Sequence, residues 1–127
     1  MKYLIDTHIL LWLMLEPQKL SNRIKNILEN IDNILYVSNI SLWEIAIKIK
    51  IGKLNIKMDF KNIFEVLKAN DFKILNLCDE HISETLFIEL HHRDPFDRML
   101  IAQAKFENLI IITKDANFKK YDINILW

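Results

Sequence analysis

The chain has 127 residues, with 17 Lys and Arg against 17 Asp and Glu, and 51% of it is hydrophobic. That length fits one domain able to bury about two-thirds of its unfolded surface, and the apolar fraction argues against disorder. A formal net charge of zero excludes a generally basic nucleic-acid binder, so any nucleic acid must be met by a local patch.

Residues 2–6 (KYLID) read as a short buried strand ending at Asp6. A helix follows over residues 7 to about 15, stopped by Pro17. Lys2 and the apolar run 9–15 give this start the look of a signal peptide. Asp6 and His8 interrupt it, however, no small-residue cleavage site follows before Glu16-Pro17, and seven apolar residues are too few to span a bilayer. The expectation is a cytoplasmic protein without membrane contact, and the single cysteine, Cys78, fits a reducing compartment.

Ser21 caps a second predicted helix to about residue 29, with Ile24, Ile27, Leu28 and Ile31 at helical spacing. Residues 35–37 read as a strand. Ser41 and Glu44, three residues apart, have the form of a capping box opening a helix to about 51, ended by Gly52. Asp59 caps a further helix, residues 72–77 form a strand, and Asp79 opens a helix to about 90. Asp94-Pro95 pairs an N-cap with proline at the first helical position, so a helix runs from there to about 107. Residues 109–113 and 123–127 complete the strands. This alternation, with unbroken apolar strands, implies an α/β fold with a mostly parallel sheet covered by helices on both faces, as a single domain over 1–127. One glycine in the chain leaves no Gly-rich phosphate loop, which excludes Rossmann and P-loop readings.

Four carboxylates mark the candidate site: Asp6, Glu44, Asp97 and Asp115. Each has an ordinary explanation: a helix-cap acid, half of a capping box, a first-turn acid favoured by the helix dipole, a turn residue. Their conjunction says more. In a parallel sheet, strand C-termini and helix N-termini share one edge, and ligands bind in the crevice there. All four acids are predicted at that edge, where they repel one another unless a cation neutralises them. All-oxygen ligation suits Mg²⁺ or Mn²⁺, and such a site hydrolyses phosphodiesters. Asp94 stands three residues before Asp97 as an outer acid. His91 and His92 are adjacent and do not face each other on a helix, so they read as the exit of the preceding helix. Cys78, with no evident His partner, reads as a small buried hydrophobe.

Nearby cations must offset the acids toward a phosphodiester strand. Lys48 lies four residues after Glu44 on the same helix face and is the candidate phosphate contact; Arg98 and Lys114 adjoin Asp97 and Asp115. Lys50 and Lys53 read as solvated surface charges. The helix over 8–15 is apolar almost all round, so an exposed apolar patch is expected near Trp12, for a protein partner or a second copy.

The segments Tyr3-Leu4-Ile5-Asp6-Thr7-His8, Ser41-Leu42-Trp43-Glu44-Ile45-Ala46-Ile47-Lys48, residues 93–104 (RDPFDRMLIAQA) and Thr113-Lys114-Asp115 resemble those of PIN-domain ribonucleases, specifically the VapC-type toxins of bacterial toxin–antitoxin modules. The third segment is the most specific, and the resemblance covers essentially the whole chain. It implies a three-layer α/β/α fold, endoribonuclease activity dependent on Mg²⁺ or Mn²⁺, a cognate antitoxin and a homodimer. Carried over by motif, Asp6 and Asp97 are the principal metal ligands, Glu44 and Asp115 complete the acidic site, and Thr113 supplies a hydroxyl beside it. Two other readings remain: an inert PIN module acting by binding, and a phospho-acceptor receiver domain, which would need an acid pair after the first strand where Asp6 stands alone.

Overall fold

The computed structural model describes residues 1–91 and 93–127. In chain order it runs β1 (Lys2–Ile5), α1 (Thr7–Leu15), α2 (Asn22–Glu29), β2 (Ile34–Ser38), α3 (Asn39–Lys50), α4 (Lys61–Ala69), β3 (Phe72–Leu75), α5 (Asp79–Glu84), α6 (Pro95–Glu107), β4 (Ile110–Ile112) and β5 (Ile125–Leu126). Short 3-10 turns occupy Pro17–Lys19, Thr85–Phe87 and Ala116–Lys120.

The five strands form one sheet in the order β3-β2-β1-β4-β5, and every pairing is parallel. β1 therefore lies at the centre, with Tyr3 opposite both Leu35 and Ile110. The chain leaves β1 in one direction toward β2 and β3, and returns on the other side as β4 and β5. That reversal is the switch point at which open parallel sheets hold their ligands. The order also excludes the receiver reading, whose sheet runs 2-1-3-4-5.

Strand side chains alternate between two faces, and the core divides accordingly. Tyr3, Ile5, Leu35, Val37 and Ile112 pack with Ile9 and Leu10 of α1, Ile24 of α2, Leu42 and Ile45 of α3, and Ile63 and Leu67 of α4. Leu4 and Ile111 face the other way, onto Leu100, Ile101 and Ala104 of α6. Helices thus cover both faces, giving the expected three layers. Each fully buried Leu or Ile side chain contributes about 1.5–3 kcal/mol of transfer free energy.

Three local expectations are revised. Ser41 does not cap α3. Its N-cap is Ser38, whose Oγ accepts from the Ile40 N–H at 3.1 Å, so the helix opens directly from β2 and Ser41 lies inside it, buried. The helix predicted to run from Asp79 to residue 90 does start at Asp79, after its N-cap Cys78, but ends at Glu84. Thr85 turns its hydroxyl back onto the Ile82 carbonyl, and beyond it Ile88 is buried while Leu86, Phe87 and Leu90 are exposed, which is not a helical stripe. β3 stops at Leu75, because the Leu77 N–H turns to the side-chain oxygen of Asn39. His91 donates its backbone N–H to the Tyr121 hydroxyl at 3.0 Å; His92 lies outside the described residues.

At the end of α6, Asn108 takes the left-handed conformation (φ 56°) that stops a helix. In a chain with one glycine, asparagine does this work.

α1 is apolar along its length, as expected. Leu11, Trp12, Leu13, Met14 and Leu15 are all only half-buried. Trp12 meets Trp127 edge-to-face, 5.7 Å between centroids. No helix among the described residues is long and apolar enough to cross a membrane.

Candidate active site

β1 ends at Asp6, whose backbone N–H continues the ladder to the Ile112 carbonyl at 3.1 Å. Asp6 is also the N-cap of α1, with Oδ1 accepting from the Ile9 N–H at 2.8 Å. Its other oxygen, Oδ2, accepts from the Thr113 hydroxyl at 2.5 Å, across the seam between β1 and β4. Thr113 in turn accepts from the Asp115 N–H at 3.0 Å, and Asp115 caps the 3-10 turn after β4 by accepting from the Asn117 N–H. One hydroxyl thus ties the ends of the two central strands together.

Glu44 reaches the same edge from the second turn of α3 and is 5% exposed. Its Oε1 accepts from the Thr7 hydroxyl at 2.8 Å, and its Oε2 meets Lys48 Nζ at 2.9 Å. Ser41 Oγ lies 3.0 Å from Thr7 Oγ1, completing a buried hydroxyl pair under the carboxylate. Asp94 caps α6 by accepting from the Phe96 N–H at 2.8 Å, which sets Asp97 in the first turn.

The electrostatics show that the acids converge. Burial pushes the Asp97 carboxyl up to about 7, helped by the charges of Asp94, Glu44, Asp6 and Asp115. Burial also raises Asp6, with the Asp115 charge adding to it, while the bonds from Thr113 and Ile9 and the charge of His8 pull it back. Carboxylates gathered in this way resist ionisation together unless a cation offsets their charge. The all-oxygen donor set fits Mg²⁺ or Mn²⁺, which accept one or two carboxylates and keep several waters.

Two nearby cations have partners within the protein. Lys48 Nζ lies against Glu44 as a counter-charge, with its side chain 36% exposed. Lys114 Nζ lies 5.8 Å from the Trp12 ring and 5.6 Å from that of Trp127. Arg98 follows Asp97 in α6, half-buried, with its N–H on the Asp94 carbonyl.

Cys78 has a His partner after all. Its N–H donates to His81 Nδ1 at 3.2 Å, and His81 Nε2 meets Glu107 at 2.8 Å. Three residues along the first turn of α5 bring the ring back over the cap. Among the described residues, Cys78, His81 and Glu107 form a group of three whose ligand atoms lie within 4.8 Å of one another. Both ring nitrogens of His81 are already engaged by protein, so the group ties α5 to α6. Gln103 extends it: its Nε2 lies 3.4 Å from His81 Nδ1, and its Oε1 accepts from the Ser38 hydroxyl at 2.6 Å. This buried chain fixes the start of α3 and was missed in the sequence, as was the support that Thr7 and Ser41 give Glu44. An Asp-Thr pair at a strand end and a Ser three residues before a Glu were the available signals.

The PIN domain family model matches residues 3–124. No curated protein gives a significant match. Among solved structures, VapBC2 from Rickettsia felis, bound to a DNA fragment from its promoter, superposes with a TM-score of 0.75 at 16% identity, covering 99% of this chain and 98% of that one. DNA-bound VapBC from Salmonella typhimurium gives 0.72 at 17% identity, over 99% and 97%. A toxin–antitoxin complex from Klebsiella pneumoniae gives 0.65 at 19%, over 98% and 96%. The five-stranded parallel sheet, with its acids at the switch point, and a family match over nearly its whole length lead to one assignment: the chain belongs to the PIN domain family.

Proposed function

We propose that the acidic edge is the metal centre of an endoribonuclease, the VapC-type toxin of a toxin–antitoxin pair. The observation that carries this reading is that Asp94, Glu44, Asp6 and Asp115 all act on Asp97 at one sheet edge, adding to the burial that raises its carboxyl to about 7. Asp6 and Asp97 would hold the ion, with Glu44 and Asp115 beside it. Mg²⁺ or Mn²⁺, when bound, supplies charge stabilisation at the scissile phosphate and water acidified for attack.

The residues around the acids have their own tasks. Thr113 and the Ile9 N–H fix both oxygens of Asp6, so the carboxylate is oriented before any ligand arrives. Thr7 and Lys48 do the same for Glu44. To hold a cation Asp97 would have to be deprotonated. Lys48, only partly committed to Glu44, and Arg98 are the groups we assign to flanking phosphates.

The partners follow the same reading. Structural neighbours include complexes of a toxin with its antitoxin, and the half-exposed apolar side of α1 near Trp12 is the surface we assign to an antitoxin segment or to a homodimer contact. A single domain working in the cytoplasm completes the proposal.

The test is direct. Protein freed of any partner cuts RNA with Mg²⁺ or Mn²⁺ and stops with EDTA, and Asp6→Asn or Asp97→Asn lowers the rate by orders of magnitude while the fold persists. Binding of RNA without cleavage under all metal conditions assigns the chain to the inert-module reading. Undiminished cleavage by both variants overturns the site.

A further inference from the structure

Trp43 is a large aromatic residue that the core does not use: it is 59% exposed, beside a Glu44 that is 5% exposed. Neighbours on a helix are turned about 100° from each other, so Glu44 enters the acidic edge while Trp43 stands on its rim. Across the rim, Phe96 meets it edge-to-face, with centroids 5.4 Å apart and planes at 66°. Phe96 immediately precedes Asp97 and is held by the bond from its own N–H to Asp94. The two helices that deliver Glu44 and Asp97 therefore also deliver an aromatic pair, one ring locking the other.

We propose that the Trp43–Phe96 pair is a stacking platform for one unpaired base of the strand whose phosphate lies at the acidic edge. The inference rests on the nuclease reading and names how that site holds its substrate. Its first support is continuity: each ring is the chain neighbour of an acid in the site. Its second support is charge. Lys and Arg only equal Asp and Glu, 17 against 17, and two of the nearby cations are engaged, Lys48 with Glu44 and Lys114 between two indoles. The phosphate contacts assigned above have no excess of positive charge behind them, and stacking is the other sequence-tolerant source of nucleic-acid affinity. Its third support is rigidity. An indole already fixed by Phe96 loses little freedom when a base lies on it. A base in a duplex has no free face, so the platform selects single-stranded substrate or loops.

The test uses the full chain carrying Asp6→Asn, so that binding is read without cleavage, and short single-stranded RNA oligonucleotides with either normal or abasic nucleotides at successive positions. The expected result is that one abasic position weakens binding about tenfold, the effect of roughly 1.4 kcal/mol of stacking. Trp43→Ala weakens normal RNA by about the same factor and abolishes that abasic penalty, while Trp43→Phe retains most of both. If Trp43→Ala binds RNA as tightly as its parent and keeps the penalty, the platform is overturned, the nuclease reading stands, and the aromatic pair is left to a protein partner. If the wild-type chain neither binds nor cuts RNA, both readings fall together.

Discussion

Thr113 and Asp6 are 107 residues apart in the chain, yet the hydroxyl of one donates to the buried carboxylate of the other at 2.5 Å. Thr113→Val keeps the shape and removes the donor. A buried carboxylate oxygen and the Asp115 N–H then lose their partner, which costs about 1–3 kcal/mol. Denaturant unfolding should show that loss, and Thr113→Ser should restore most of it. An unchanged midpoint in Thr113→Val would mean that the hydroxyl contributes nothing to the seam.

Stability of the metal-free protein should fall as pH rises from about 4 through about 7. Asp97 has a folded pKa of about 7, raised from 3.8, and Asp6 is shifted in the same direction. Over that window the folded state holds protons that the unfolded chain has released, so each rise in pH favours unfolding. Below the unfolded pKa the contribution is fully present; above the folded one it is gone. Asp97→Asn should raise the melting temperature at pH 8 and flatten the slope. In the wild type, added Mg²⁺ should act most strongly at the alkaline end, since binding requires the proton to leave. A melting temperature that climbs with pH over this window would contradict the assignment.

Lys48→Ala should weaken RNA binding and reduce its salt slope by about one unit, with divalent-ion affinity nearly unchanged. The structure adds a second effect, because Glu44 loses its counter-charge. Lys48→Arg should recover both. Full cleavage with an unaltered salt slope would leave Lys48 as a support for Glu44 alone.

Trp12→Ser should abolish capture of the antitoxin segment, or dissociate the homodimer, without lowering RNA cleavage by the free protein. The ring lies on the half-exposed side of α1 and packs on Trp127, whereas Trp43 packs on Phe96. Sedimentation with and without partner, beside a cleavage assay, separates the two effects. Retention of both assemblies would move the interface elsewhere.

Strand order could not be read from the amino-acid pattern, but strand identity could. Apolar runs at 2–6 and 109–113 announce buried strands; nothing local says that Leu4 pairs with Ile111 as well as with Tyr36. Asp6, Asp97 and Asp115 could be singled out because each sits just past a strand or in the first turn of a helix, positions that local signals mark well; Glu44 stands out as half of a capping box but lies in the second turn of α3. Ser38 lost to Ser41 as the cap of α3 because both satisfy the local rule, and only the tertiary pairing of Ser41 with Thr7 decides between them. Lys48 lies on the same helix face as Glu44, as its i, i+4 spacing indicated, and pairs with it. The chain Ser38–Gln103–His81–Glu107 joins residues far apart in sequence, and no spacing rule reports such a network.

The central position of β1 has a consequence for biosynthesis. The first strand made is completed by β4, nearly the last, and contacts of such long sequence separation form late. A nascent chain that has emerged as far as α4 carries Asp6 and Glu44 but neither Asp97 nor the Thr113 hydroxyl. Synthesis from the N-terminus therefore releases a half-built edge that stays without its remaining acids until almost the whole sequence is out.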